Sequence, residues 1–460
     1  MPLWTCDFDG CGKPAVHRGG CCLLCDRHLC GTHLRGPWHD CPEPDSDWDM
    51  FAYKYSAAEA RHIEELCHRI DVAKLRSRAS MLRDGVPCTI ELSRKTMSAM
   101  MGNQNCHTEI HFQDGVTWLA RFHITKTTSP PQEVRDFILR SEAATMTYLK
   151  RHTRIPVPEV FDWACESDPA SQIGAGYILM GRLDGLPLDW RAVTSAQKEK
   201  IMQQLADVFL EIEKHPFRLM GSLTPSNDDA SGFDLRGLAQ PATYRLGAEG
   251  PLGPFSSSLA GSRAIVERYL KMIASGEIAS CHHLDVYLAH RLRLDLVDSL
   301  WEDASSKNQF YLKHPDDKGD HILINENFDI VGIIDWEWTS TASPEEAFSS
   351  PLMMWPVAAF YEGSNTLSPD ELRFFEILRE RGRKDIANHL VNGRRIQRFN
   401  FAMGPESPSD KPVFDQLFLG LREAFGYGDE EWNQWKAKVL EDWTEENLPR
   451  DWVDDKEDEA

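Results

Sequence analysis

A chain of 460 residues, 42% hydrophobic and 27% charged, can bury at least one sizeable core and has room for roughly two to four structural units. Its longest apolar run, "PLMMWPVAAF" (351–360), is short and broken by Pro356, and "MPLWTCDFDG" shows no secretory leader, so an intracellular protein, cytoplasmic or nuclear, is expected. Fifty basic against seventy-two acidic side chains give a net charge of −22, a field that repels phosphate backbones and anionic lipid and argues against nucleic-acid or membrane partners.

Seven of the twelve cysteines fall within the first 41 residues. With neighbouring histidines they form pairs: Cys6-x4-Cys11, Cys22-x2-Cys25, Cys30-x2-His33 and His39-x-Cys41. Eight such ligands make two closed zinc sites, and closed sites are structural because they leave no position for water. So short a segment, with few aliphatic side chains, cannot fold on core burial alone, so metal should be its main source of stability. The run from Cys22 to Cys41, C-x2-C-x4-C-x2-H-x5-H-x-C, resembles the second part of an AN1-type zinc finger. The resemblance implies interleaved pairs, with Cys6, Cys11, Cys30 and His33 on one ion and Cys22, Cys25, His39 and Cys41 on the other. It also implies a protein-contact module of a kind associated with ubiquitin. The first pair departs from the family's usual x2 spacing, and Cys21 could replace Cys22 in a shifted register.

Residues 1–45 are thus read as the finger and 46–60 as a linker, since "CPEPDSDWDMFAYKYS" (41–56) has no periodicity. From Ser56, apolar residues at Ile63, Leu66, Ile70, Val72, Leu75 and Leu82 predict one or two amphipathic helices ending at Gly85. "HTEIHFQDGVTWLARFHI" predicts a hairpin turning at Asp114-Gly115. A helix follows through Phe137, Ile138, Ala143, Met146 and Leu149, then the proline-extended "IPVPEVFDW" and the buried strand "GYILMGRL". This order is similar to the small lobe of a protein-kinase-like fold, here 61–187 with its leading helices. Residues 188–428 are expected to form a helical large lobe, interrupted by a Gly/Pro/Ser-rich stretch (238–262) and by strand-like "FYLKH", "HILIN" and "IVGIIDW". Residues 429–460, with thirteen acids and four bases, read as a solvated acidic tail.

Phosphoryl transfer asks for a base to orient a hydroxyl, carboxylates for Mg²⁺ and cations for the phosphates. "FYLKHPDDKGDHILIN" sets His314-x-Asp316 and His321 between two apolar strands, and "IVGIIDWEW" drives a buried strand into Asp335. The spacing resembles the aminoglycoside phosphotransferase and choline kinase group, whose loop reads H-G-D-x-x-x-x-N and whose metal motif reads I-D-W. That resemblance implies Asp316 as catalytic base, His314 as its orienter and Asp335 as the main Mg²⁺ ligand. It likewise implies Arg121 on the ATP phosphates, Glu142 paired with it, Met180 and Gly181 at the adenine hinge, and Gly102 in the phosphate-covering loop. His321 stands where the family keeps Asn as a second Mg²⁺ ligand, and imidazole is a softer ligand than a carbonyl oxygen. Asp320 is its possible stand-in, and Glu337 is either a second carboxylate or solvent-facing.

The phrases "SEAATMTYL", "IPVPEVFDW", "FYLKHPDDKGDHIL" and "GIIDWEW" are similar to the fungal branch of phosphotransferase-like proteins over about 75–375. The expected fold is α+β, a protein-kinase-like bilobal fold behind a two-zinc finger. The expected activity is transfer of the ATP γ-phosphate to a small-molecule hydroxyl. The alternative is an impaired pseudokinase that binds nucleotide or protein, and a third reading is a ubiquitin-directed adaptor.

Overall fold

The structure is a computed structural model that describes residues 1–17, 19–44, 47–227, 232–278, 283–302, 309–402, 411–428 and 430–442. The chain divides into two units. The first comprises Met1–Lys214, Gly221–Pro254 and His314–Ser340, and the second His215–Met220, Phe255–Lys313 and Thr341–Ala460.

The first unit opens with a small hairpin, β1 (Cys21–Cys22) against β2 (Arg27–His28), on a core of little more than Cys6, Leu29 and Cys30 with Phe8, Cys11 and Leu34. The chain crosses itself at Gly20, where a Cβ would collide with the carbonyls of Val16 and Leu29. Helix α1 (Trp48–Arg69) begins well ahead of Ser56, inside the expected linker. The cause is Asp47, whose side chain accepts from the Met50 N–H and caps the helix, an interaction worth about 1 kcal/mol. A second Asp cap, Asp71, starts α2 (Val72–Met81), so the amphipathic stretch is two helices.

These helices pack on a five-stranded antiparallel sheet. Its strands are β3 (Cys88–Ile90), β4 (Asn105–Phe112), β5 (Thr117–His123), β6 (Val160–Ala164) and β7 (Tyr177–Gly181), in the order β3-β4-β5-β7-β6. Alternation on β4 and β5 buries Cys106, Thr108, Ile110 and Phe112 with Trp118, Ala120 and Phe122 on the face packed against α1 and α2. The β4-β5 hairpin turns where expected, with Gly115 at φ +88°. Between β3 and β4 a short helix, α3 (Arg94–Ala99), started by a Ser93/Thr96 capping box, ends just ahead of the expected phosphate-covering stretch around Gly102. Helix α4 (Gln132–His152) lies between β5 and β6 in sequence. A second sheet joins β8 (Leu186–Pro187), β12 (Ile322–Ile324) and β13 (Ile330–Ile333) in the order β13-β12-β8. Helix α5 (Ser195–Glu213) and the pair β9 (Ser222–Pro225) and β10 (Phe233–Arg236) complete this unit.

The second unit is mainly helical: α6 (Ser258–Ala274), α7 (His283–Trp301), α8 (Pro344–Ala347), α9 (Val357–Tyr361), α10 (Pro369–Glu380), α11 (Lys384–Asn392), α12 (Arg394–Gln397), α13 (Lys411–Ala424) and α14 (Trp432–Asp442). Strands β11 (Tyr311–Lys313) and β14 (Ser340–Ala342) pair beside them. Helix α14 corrects the reading of 429–460 as a solvated tail. Trp432 is buried edge-on to Phe414 and Phe418, both at 4.7 Å, so aromatic packing outweighs the local acidity. Residues 443–460 lie outside the described residues. A five-stranded antiparallel sheet with a helix between its third and fourth strands in sequence, and a mainly helical unit besides, is the expected protein-kinase-like α+β fold. Among the described residues, no helix is long and apolar enough to cross a membrane.

Candidate functional site

Strand β5 carries Arg121 inward opposite His107 of β4, and α4 brings Glu142 to meet it. Arg121 Nη1 lies 2.7 Å from Glu142 Oε1, and both side chains are buried. The other terminal nitrogen serves two acids that follow β13: Nη2 is 2.9 Å from Glu337 Oε2 and 3.1 Å from Asp335 Oδ1. Asn105 Nδ2 donates to the same Glu337 oxygen at 2.9 Å. Asp335 (φ +65°) and Trp338 (φ +63°) both sit in the left-handed region, and for a bulky Trp that costs on the order of 1–3 kcal/mol.

Burial works against the Arg121 charge, but Glu142, Glu337 and Asp335 together outweigh it and hold its pKa above the ordinary arginine value. Burial pushes Glu142 and Glu337 the other way, toward the neutral acid, with Arg121 opposing. The strand running into Asp335 is buried at its end, but the Asp335 side chain is 51% exposed, whereas Glu337, which the sequence leaves open, is 7% exposed and fixes the arginine.

Asn105, Arg121, Asp335, Glu337 and Trp338 line a cavity of about 480 Å³, within the range of small-ligand sites. Its apolar wall includes Leu119, Met146, Met180, Leu183, Leu323 and Ile334. Gly181 and Gly102 also line it. The Gly181 N–H donates to Glu159 at 2.8 Å and the Gly102 N–H closes a turn onto Asn105 at 2.9 Å. The polar side presents four carboxylates, Asp316, Asp320, Asp335 and Glu337, against the two cations Arg121 and Lys318. Of these carboxylates, Asp316, Asp320 and Asp335 are at least partly exposed and offer the oxygen ligands a divalent cation takes.

His107 lines the same cavity, and its Nδ1 donates to the Met100 carbonyl at 2.8 Å. Burial and then Arg121 push its pKa from 6.5 down to about 4. The unfolded chain therefore takes up a proton below pH 6.5 that the folded chain refuses until about pH 4, and stability falls over that window. Thermal melts from pH 7 to 4 should show a shallower decline in His107→Gln than in the parent.

The loop after β11 is pinned by His314. Its Nε2 donates to the Ile334 carbonyl at 2.9 Å, and its Nδ1 accepts the Asp316 backbone N–H at 3.2 Å. The ring thereby ties the loop to the strand end bearing Asp335 and takes no place in the cavity wall. His321 is not brought to the cavity either. It is buried and stacked on His314, ring centroids 4.2 Å apart, while its neighbour Asp320 faces the cavity. The apolar flank of β12 draws the imidazole inward, and the turn before it leaves the carboxylate outside.

Lys318, which the sequence reading passed over, bridges the acids. Its ammonium is 2.7 Å from Asp316 Oδ2 and 3.5 Å from Asp320 Oδ2, and the bond to Asp316 raises its pKa. The signal was a lone base among the acids of "PDDKGD".

The N-terminal ligands gather into two groups, Cys6, Cys11, Cys30 and His33, and Cys22, Cys25, His39 and Cys41. Within the first, Cys6 Sγ and Cys30 Sγ lie 3.4 and 3.5 Å from His33 Nδ1, and Cys11 Sγ lies 3.9 Å from Cys30 Sγ. Tetrahedral bonds of zinc length give edges of about 3.5 Å (S to N) and about 3.8 Å (S to S), so the residues fit such an ion. Burial, then Cys22 and Cys25, push the Cys41 thiol up to about 12.

No protein-family model matches the chain. A subtelomeric hrmA-associated cluster protein of Aspergillus fumigatus is 38% identical over 90 residues, 19% of this chain and 17% of that protein. Among solved structures, the GDP complex of aminoglycoside 2'-phosphotransferase-IIIa is 13% identical, with a TM-score of 0.42 over 77% of this chain and 99% of that one. Macrolide 2'-phosphotransferase type I is 14% identical, TM-score 0.39, over 78% and 93%. Plasmodium vivax ethanolamine kinase is 12% identical, TM-score 0.42, over 82% and 89%.

Proposed function

We propose that the cavity binds Mg·ATP and that the chain transfers the γ-phosphate to a hydroxyl of a small molecule. The observation that carries this reading is the convergence of Arg121, itself paired with Glu142, and Asp335 with Asp316 in one charged cavity. Arg121 neutralises phosphate charge, and Asp335 and Asp320 hold the divalent ion, which supplies further charge neutralisation on the phosphates when bound. Met180 and Gly181 face the base. Asp316, oriented by His314, accepts the acceptor's hydroxyl proton once substrate displaces its contact with Lys318. That ammonium is then free to meet the transferred group. Turnover of ATP in the presence and absence of Mg²⁺, for the parent and Asp335→Asn, tests the reading. Turnover independent of both metal and Asp335 would overturn it.

A second reading, a nucleotide-binding protein without transfer, is favoured by the inward turn of His321 and the Lys318–Asp316 pair. Mg·ATP binding without turnover would select it.

The ion of the N-terminal module is zinc in this account, which suits reduced thiols in an intracellular setting. Metal analysis of the purified chain should find two zinc ions per molecule, and Cys22→Ser should lower this to one. The AN1-type resemblance is the support for a ubiquitin-related partner.

A further inference from the structure

The N-terminal module is held against the small lobe by contacts on either side of its ligand groups. Leu3, just ahead of Cys6, is buried in one apolar cluster with Val134 and Ile138 of α4, and Trp4 packs on the same cluster. Ile138 precedes Glu142 by four residues, so the two lie close on one stripe of the helix. Trp338, three residues beyond Asp335, packs on that cluster as well and lines the cavity.

The other contact grips the segment that leads into α4. Asp26, next to Cys25, accepts from Thr127 Oγ1 at 3.1 Å and from His62 Nε2 at 3.1 Å, and also pairs with Arg61. His28 Nε2 donates to the Thr127 carbonyl at 2.9 Å. The start of α4 has no side-chain cap, and these tethers fix the chain shortly before it enters the helix.

We propose that the zinc-binding module acts in cis as a positioning element of the phosphoryl-transfer site. Leu3, Trp4, Asp26 and His28 set α4 and the Asp335–Trp338 turn, and through them the Arg121–Glu142 pair. The two ligand groups hold these four residues in place: Leu3 and Trp4 precede Cys6, and Asp26 and His28 lie between Cys25 and Cys30. The proposal rests on the reading of the cavity as a Mg·ATP site. It differs from recruitment of a partner, because these four residues pack on the chain's own small lobe.

The test uses the zinc-loaded full chain with Leu3→Ala and, independently, Asp26→Ala, keeping only preparations that hold two zinc ions per molecule. Amide hydrogen exchange over residues 132–152 and the dissociation constant for Mg·ATP are measured in each, with Leu3→Met as the conservative rescue. Expected are faster exchange in α4 and Mg·ATP binding at least about fivefold weaker in both variants, with Leu3→Met near the parent. Unchanged exchange and unchanged binding, with zinc retained, would overturn the proposal. If the parent fails to bind Mg·ATP, the nucleotide reading fails. The exchange measurement then decides alone whether the module sets α4.

Discussion

Asp316→Asn is expected to lower phosphoryl transfer by about 10²- to 10⁴-fold, the usual weight of a positioned general base, while Mg·ATP still binds. The separation follows from where Asp316 sits. Its contacts are with Lys318 and, through its backbone N–H, with His314, and it takes no part in the Arg121 cluster. Removing its charge should leave Lys318 to Asp320 without opening the buried pairs. Single-turnover transfer from ATP, beside a direct binding measurement, reads both quantities. Equal loss of binding and transfer would place Asp316 among the ligand-holding groups.

The largest effect on stability is expected at Arg121. Arg121→Met should cost about 3–5 kcal/mol, because it leaves Glu142 and Glu337 buried without their shared cation. Urea unfolding of the zinc-loaded chain measures it. Arg121→Lys should recover only part, since one ammonium cannot reproduce the two-sided grip of Nη1 on Glu142 and Nη2 on Glu337. Asp335→Asn is the contrasting case. The side chain is half exposed and only one of three acids on the arginine, so stability should change little while metal-dependent nucleotide binding is lost.

Features fixed by short-range chemistry were legible in the sequence. The Asp114-Gly115 turn set the hairpin, apolar spacing marked α4, and the pairing of Cys and His gave eight ligands that the fold gathers into two groups. Features decided by tertiary context were not. The polar composition of 41–56 hid the Asp47 cap, which matters only because α1 has a sheet to pack on. Whether His321 or Asp320 faces the cavity turns on the direction of one residue before a strand, and no spacing rule resolves a one-residue choice beside a turn. Glu337 was ambiguous because its burial depends on Arg121 and Asn105, more than 200 residues away in sequence. The docking of Leu3 and Trp4 on α4 was invisible for the same reason.

The most direct test of the account is thermal unfolding of the zinc-loaded full chain with Mg·ATP, with ATP alone and with Mg²⁺ alone. A ligand at about a hundred times its dissociation constant stabilises by about 2.7 kcal/mol. Mg·ATP should raise Tm clearly and ATP alone less, with no Mg·ATP-specific rise in Asp335→Asn. A Tm that is the same with and without Mg·ATP at millimolar concentration would contradict the Mg·ATP reading of the cavity.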